Sequence, residues 1–274
     1  MPQWKFTRSG FTAVIFSLCL AWIFRYLSFV RKIILSTPLL VTGIAILSVC
    51  CSPVAPIRGG NDRAIEWANR NGGASSSGSG GASMGTLVRQ INLKQDMVRA
   101  GTCGRRVVRR MNPRYITIHS TQNYSADAWK HSLALKRGAL RAPKRPGGNR
   151  IGYLIWHFTV DDKVALQHMP TNEQGEHADF NGPGNNYSIG IEMCEHRGSN
   201  LSATMDRTAK LAAYLMVKNG IPLRNVVPHY HWPRRGAHPP NKNCPHFLMD
   251  NGRPGRKWNA FLGKINYYYA RMRG

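Results

Sequence analysis

Acidic residues are scarce in this sequence. Thirteen Asp and Glu stand against 38 Lys and Arg over 274 residues, and none falls in the first 60. The formal charge of +25 draws polyanions such as nucleic acid, anionic lipid or an acidic wall polymer to the surface; it carries no information about fold. Cysteine is sparse as well. Cys19, Cys50, Cys51, Cys103, Cys194 and Cys244 form no C-x-x-C pair, which excludes a zinc ribbon and a disulfide framework. Cys103 and Cys194 could still pair with each other in an oxidising compartment. Neither a collagen nor a heptad period is present, nor any internal repeat, so rods and solenoids are excluded. A hydrophobic content of 42% with 9% aromatics excludes wholesale disorder, and the length allows a sizeable core.

Long apolar runs without a charge occur only near the N-terminus. Phe11 to Phe24 is short for a membrane span, whereas Ile33 to Cys51 is 19 residues without a charge, enough to cross about 30 Å of hydrocarbon. Arg31 and Lys32 precede the second run and no basic residue occurs after it until Arg58. The positive-inside rule then keeps the N-terminal flank in the cytoplasm and exports the chain beyond Ser52. Residues 1–51 are therefore expected to be a leader, signal or membrane anchor, and the rest of the chain to lie in the cell envelope. Leu47-Ser48-Val49-Cys50 resembles a bacterial lipoprotein signal, with Val49 where a small residue is usual, so Cys50 or Cys51 is a candidate for lipidation. Gly72 to Gly85 reads GGASSSGSGGASMG, a flexible linker composition. This predicts a tether over 52–99 and one folded domain over 100–274.

Within that domain strands and helices alternate. Tyr115–Ile118, Tyr153–Val160, Lys163–Met169 and Tyr187–Cys194 read as strands. Ser125 is a candidate cap for a helix ending at Gly138, and Ser202–Asn219 reads as a helix closed by Gly220. Trp258, Phe261, Leu262 and Ile265 fall at i, i+3, i+4 and i+7, the stripe of a helix packed on the domain. The pattern predicts a mixed α/β (α+β) fold around one central sheet.

The chain holds ten histidines. His119 ends a strand, His229 comes just after the strand-like Asn225-Val226-Val227, and Cys244 lies in a Pro-rich loop. Two imidazoles and a thiolate would give zinc three ligands and leave a fourth position for water, the open arrangement of a catalytic site. His231, in the same HYH triplet, is an alternative to His229. Glu192 ends a strand and could equally pair with one of the many arginines, and Lys242 could be a solvated loop charge. His157, in mid-strand, fits the core or a place behind the site better than ligation. Cys194 fits a small buried apolar role, and His238 and His246 fit a cleft rim.

Five segments occur together in one order: YITIHST at Tyr115–Thr121, HFTVDD at His157–Asp162, SIGIE at Ser188–Glu192, VVPHYHW at Val226–Trp232 and KNCP at Lys242–Pro245. In these the chain resembles the zinc-dependent N-acetylmuramoyl-L-alanine amidases of endolysin and autolysin type, which share a fold with peptidoglycan recognition proteins. The resemblance covers about Arg105 to Asn251. It implies a central mixed β-sheet flanked by helices, with zinc in a cleft at one edge. It also implies hydrolysis of the amide between N-acetylmuramic acid and L-alanine in peptidoglycan. On this basis His119, His229 and Cys244 become the Zn2+ ligands, Glu192 the catalytic acid and Lys242 the stabiliser of the transition state. His177, in a stretch where Glu176 replaces a family Trp, joins His157 as a candidate for substrate contact. A non-catalytic peptidoglycan binder on the same fold would not need Cys244 and Glu192. Between Met97 and Val160, Asp127 is the only acid against 13 Lys and Arg, a basic face suited to anionic wall polymers. No nucleic-acid motif accompanies it, and no nucleic-acid partner is expected.

Overall fold

The computed structural model describes residues 83–142 and 151–273. The expected leader, the possible lipidation site and most of the expected tether lie outside the described residues. Among the described residues no helix is long and apolar enough to cross a membrane.

The chain begins with helix α1 (Met84–Ile91) and strand β1 (Leu93–Gln95), followed by β2 (Tyr115–Ser120) and helix α2 (Ala128–Lys136). Strands β3 (Phe158–Val160) and β4 (Ala165–Gln167), the short helix α3 (Pro183–Tyr187) and β5 (Ser188–Met193) come next. Helix α4 (Leu201–Asn219), β6 (Val226–Pro228), the two-residue strands β7 (Met249–Asp250) and β8 (Arg253–Pro254), and helix α5 (Arg256–Arg273) complete it. Six strands form one mixed sheet in the order β1-β4-β3-β5-β2-β6. β3, β5, β2 and β6 run parallel, β4 is antiparallel to β3, and β1 is parallel to β4. The expected central mixed sheet with flanking helices is therefore present.

Alternation along the strands divides the sheet into two unlike faces. Ile116 and Ile118 of β2 and Ile189, Ile191 and Met193 of β5 join the main core with residues of α1, α4 and α5. The intervening residues lie on the other face, where the register pairs Thr117 with Gly190 and His119 with Glu192. Period two alone thus puts a ligand-type imidazole beside a carboxylate. Trp258, Phe261, Leu262 and Ile265 are all buried in the main core, as their spacing predicts.

Three boundaries differ from expectation for identifiable reasons. The folded part starts near residue 84 rather than 100, because Leu87 and Ile91 supply an i, i+4 pair to the main core. Arg207 of α4 secures this segment, donating to the carbonyls of Gln90 at 2.6 Å and Ile91 at 2.8 Å at the end of α1. It also reaches the carbonyls of Asp161 and Asp162 at 3.2 and 3.0 Å. Asp127, not Ser125, caps α2 by accepting from Lys130 N at 2.8 Å, while Ser125 is held in a local turn by Asn123. Only Phe158–Val160 of the long apolar run pairs as a strand, with Tyr153 and Ile155 in isolated bridges to Arg141 and Glu176. Asn200 and Gly220 (φ +64°) cap α4 at its two ends. Cys103 and Cys194 are free thiols, not a disulfide.

Helices α4 and α5 are joined by Asp206, which accepts from Lys210 at 2.6 Å, Lys264 at 3.1 Å and the Tyr268 hydroxyl at 2.6 Å. Burial raises the Asp206 pKa, but these three partners outweigh it and hold the carboxyl at about 2. A carboxylate depressed below its unfolded value of about 3.9 stabilises the fold above that pH, and the contribution fades as pH falls towards 2. Thermal unfolding followed between pH 5 and pH 2 should therefore show Asp206→Asn destabilised at pH 5 and converging on the wild type near pH 2. A constant gap across that range would contradict this ionic clasp.

Candidate metal centre

Three elements deliver the donors. β2 carries His119 to the edge of the sheet, β6 ends one residue before His229, and the loop after it brings Cys244 back against β2. All three side chains are buried, and their ligand-type atoms lie within 4.8 Å of one another. The two imidazoles meet through Nδ1 and Nδ1 at 2.9 Å.

The hydrogen bonds behind the rings fix the protonation of each. His229 Nε2 lies 2.9 Å from the carbonyl of Ala178. A carbonyl only accepts, so Nε2 carries the proton and Nδ1 presents a lone pair. The second imidazole is set through a relay. His177 Nε2 lies 3.3 Å from the carbonyl of Ser188 and so is protonated. Its Nδ1 then accepts from His119 Nε2 at 3.0 Å, leaving a lone pair on His119 Nδ1. Two lone pairs thus face each other across 2.9 Å, an arrangement that repels unless a cation lies between them. Burial holds both rings neutral: it takes His119 well below its ordinary pKa, aided by His229, His177 and Lys242. It takes His229 to about 3, with Lys242 adding to the effect.

Cys244 completes the cluster. Ser120 N donates to its Sγ at 3.3 Å, as suits a sulfur that carries negative charge. Burial pushes the thiol up to about 12, with Glu192 adding and Lys242 opposing; a coordinated cation is what releases the proton from such a thiol. Two neutral imidazoles and a buried thiol against a backbone N–H are a donor set that fits a zinc-type ion.

Glu192 lies beside the donors, its Oε1 3.8 Å from His119 Nδ1. Its Oε2 is buried with no hydrogen-bond partner. Burial pushes Glu192 up to about 7, Lys242 pulling against this and Glu195 adding to it. Lys242 is half-buried, and its charge is felt by His119, Glu192, His229 and Cys244. The five residues singled out in the sequence therefore come together.

His157 and His177, the candidates for substrate contact, are both buried and have their ring nitrogens engaged within the protein. His157 has no exposed surface; its Nδ1 accepts from Gly190 N at 3.0 Å and its Nε2 donates to Glu173 O at 2.8 Å. His177 is buried and uses both nitrogens to orient His119. Its ring lies where a Cβ on Gly190 would come within 2.9 Å, which is why the glycine of SIGIE has no side chain. His231 packs edge to face against Trp232 with ring centroids 4.5 Å apart and stands outside the donor cluster. Cys194 is fully buried beside His131.

Some supporting residues had no sequence signal. Asn185 Oδ1 accepts from the backbone N–H groups of His177 and Ala178 at 2.9 and 2.8 Å, and so aims both the His177 ring and the Ala178 carbonyl. Its Nδ2 donates to Glu176 at 3.0 Å, and Glu176 in turn pairs with Arg109 at 2.5 Å. The Glu that departs from the family's Trp thus anchors the loop that orients both imidazoles. His246 links Ser120 Oγ at 3.2 Å to Glu195 at 3.2 Å, bracing the chain just past Cys244.

Removing an orienting partner of a metal-binding histidine typically costs 10–100-fold in affinity. His177→Ala should therefore weaken Co2+ binding by about 10–100-fold with all three donors intact, read by competition against a chelator. An unchanged affinity would show that His177 does not set the His119 lone pair.

The sequence pattern of the N-acetylmuramoyl-L-alanine amidase family matches residues 109–247. The amidase XlyA of Bacillus subtilis (strain 168) is 37% identical over 178 residues, covering 64% of this chain and 51% of that protein. The amidase CwlH of the same organism is 39% identical over 160 residues, covering 57% of this chain and 54% of that protein. The chain thus spans about half the length of these curated relatives. The solved catalytic domain of XlyA superposes with a TM-score of 0.51 at 38% identity, covering 64% of this chain and 99% of that one. A mutant endolysin from Bacillus subtilis gives 0.52 at 37% identity, covering 64% and 98%. The matched span reaches from Arg109, which anchors the orienting loop, past Cys244, and this chain belongs to the N-acetylmuramoyl-L-alanine amidase family.

Proposed function

We propose that the chain is a zinc-dependent hydrolase that cuts the amide between N-acetylmuramic acid and L-alanine in peptidoglycan. The observation that carries this is the pair of facing lone pairs on His119 and His229 closed by Cys244, with the unpartnered Glu192 Oε2 alongside. His119, His229 and Cys244 would hold the ion. When bound, zinc lowers the pKa of a coordinated water to about 7 and polarises a carbonyl oxygen. Glu192 Oε2 receives the proton of the attacking water and returns it to the nitrogen of the departing L-alanine. A carboxyl raised to about 7 by burial is suited to both halves of that transfer near neutral pH. The Lys242 ammonium stabilises the negative charge that grows on the carbonyl oxygen. Membership of the amidase family and the names of the relatives support the choice of bond.

The placement of the domain belongs to the same proposal. The uncharged run Ile33–Cys51 serves as export signal or anchor, with or without a lipid on Cys50 or Cys51. The Gly/Ser segment then tethers the domain on the outer side, among wall polymers whose anionic groups the basic surface attracts. Wall binding through that surface should weaken as ionic strength rises.

Purified peptidoglycan incubated with zinc-loaded protein should release stem peptides with a free L-alanine amino group, seen by mass spectrometry. Binding without release would leave a wall-binding protein in place of an enzyme. Glu192→Gln should retain zinc and lose about 10²–10⁴-fold in turnover; undiminished hydrolysis would assign the proton transfer to another group. Cys244→Ser should lose most of the zinc by elemental analysis, because thiolate is the softer ligand.

A further inference from the structure

The edge of the sheet that bears the donors extends well beyond them. β3, β5, β2 and β6 end at this edge, and β4 and β1, which run the other way, begin there. Over the β1–β4–β3 half lies a cavity of about 280 Å³, lined by Asn92, Lys94, Asp127, Trp129, Lys163 and His196 among others. β3 and β4 are the second and third strands from β2. At about 4.8 Å per strand, the cavity lies roughly 10–15 Å along the edge from the metal donors.

The lining groups differ in what they have left to offer. Asp161, also in the wall, accepts from Ala128 N, Lys163 N and Val164 N at 3.2, 2.8 and 2.8 Å. Asn92 Nδ2 donates to the Lys163 carbonyl at 2.8 Å. Trp129, by contrast, is 48% exposed although indole is among the costlier side chains to leave in water. His196 keeps a buried Nδ1 with no hydrogen-bond partner. Asp127 caps α2 through one oxygen, leaving the other as an acceptor. Among the described residues the Lys94 and Lys163 ammoniums are paired with no carboxylate. Two cations and the carboxylates of Asp127 and Asp161 make the wall close to neutral, which disfavours a simple anion. An aromatic face ringed by separate donors and an acceptor, with no net charge, complements a neutral ring bearing apolar C–H faces and peripheral hydroxyl and amide groups.

We propose that this cavity is a saccharide subsite in which Trp129 stacks on a pyranose ring of an N-acetylated glycan, and Lys94, Lys163, His196 and Asp127 bond its hydroxyl and acetamido groups. The assignment of the glycan to a wall strand rests on the proposed amidase function. A strand held there places a neighbouring sugar beside Trp129 while the lactyl amide lies at Glu192, so the subsite favours long glycans over single-sugar fragments.

The test has two arms. In the first, the full chain is titrated with the β-1,4-linked tetramer of N-acetylglucosamine and the heat of binding is followed by calorimetry. The wild type should bind, Trp129→Ala should bind about tenfold or more weakly, and Trp129→Phe should recover part of the loss. Lys163→Ser, at an exposed position outside every core cluster, should also weaken binding and serves if the Trp129 variants fold poorly. In the second arm, Trp129→Ala should raise KM on intact peptidoglycan about tenfold and leave kcat, zinc content and hydrolysis of a single-sugar muropeptide unchanged. Tetramer binding that is absent, or equal in wild type and both alanine and serine variants, overturns the subsite. An equal loss on both substrates also overturns it, since the defect would then lie at the catalytic centre. If the wild type cuts neither substrate, the amidase proposal fails, and the tetramer arm still decides the cavity.

Discussion

Everything at the functional end of the molecule depends on one pair of atoms, the Nδ1 nitrogens of His119 and His229 held 2.9 Å apart. Neither nitrogen carries a proton, because the opposite nitrogen of each ring is engaged by a carbonyl, directly for His229 and through His177 for His119. The main chain therefore fixes both tautomers before any ion arrives. Much of the surrounding structure maintains this condition. Asn185 gathers two backbone N–H groups and so aims the His177 ring and the Ala178 carbonyl together. Asp179 accepts from Gly184 N and Asn185 N at 2.8 and 2.9 Å and holds Asn185 in place. The donor cluster is thus backed by a network that runs from His119 through His177 and Asn185 to Asp179, the kind of outer partners that tune ligand basicity where a metal binds.

The sheet makes the same arrangement possible from the other side. In the β2–β5 register His119 lies opposite Glu192 and Thr117 opposite Gly190. One face of these strands is Ile and Met packed against α1, α4 and α5; the other is polar and holds the chemistry. A slip of one residue in β5 would exchange its faces, burying Glu192 in the main core and turning isoleucine towards the metal-type donors. Core packing and site geometry are therefore one specification, and the large hydrophobic free energy of burying Ile116, Ile118, Ile189 and Ile191 also fixes the position of the carboxylate.

This explains which features can be read from the sequence and which cannot. The strands around His119 and Glu192, the capped helix α4 and the stripe of α5 are set by local periodicity, and they are found as expected. His119, His229, Cys244, Glu192 and Lys242 converge because the ordered segments that carry them belong to a recognisable pattern. The roles of Asn185, Glu176 and Ser188 leave no trace in the sequence, since each acts through a hydrogen bond whose partner is distant in sequence or is a backbone carbonyl. The motifs place His157 and His177 near the site, but they do not show that both nitrogens of each ring are engaged by partners distant in sequence. The start of the domain lies earlier than composition suggests because a Gly/Ser run masks the short stripe of Leu87 and Ile91, whose docking depends on Arg207 more than a hundred residues away.

The scarcity of acids acquires a structural meaning here. Asp161, Glu173, Glu176, Asp179, Glu192 and Glu195 are six of only 13 in the chain. All are largely withdrawn from solvent, with side-chain exposures of 12% for Glu173 and 14% for Glu192 and residue exposures of 9% or less for the other four. Glu173 is tied to Arg105 at 2.8 Å, Glu176 to Arg109, and Glu195 to His246 and Gln122 N. Carboxylates in such places are retained because removing one leaves a buried cation or backbone N–H without a partner. Among the described residues most Lys and Arg are in no ion pair with a carboxylate. A strongly basic exterior and an acid-lined functional end thus arise from the same allocation of a few carboxylates. The exterior carries an excess of positive charge that attracts anions of any kind at long range, and the interior keeps one oxygen of Glu192 without a hydrogen-bond partner.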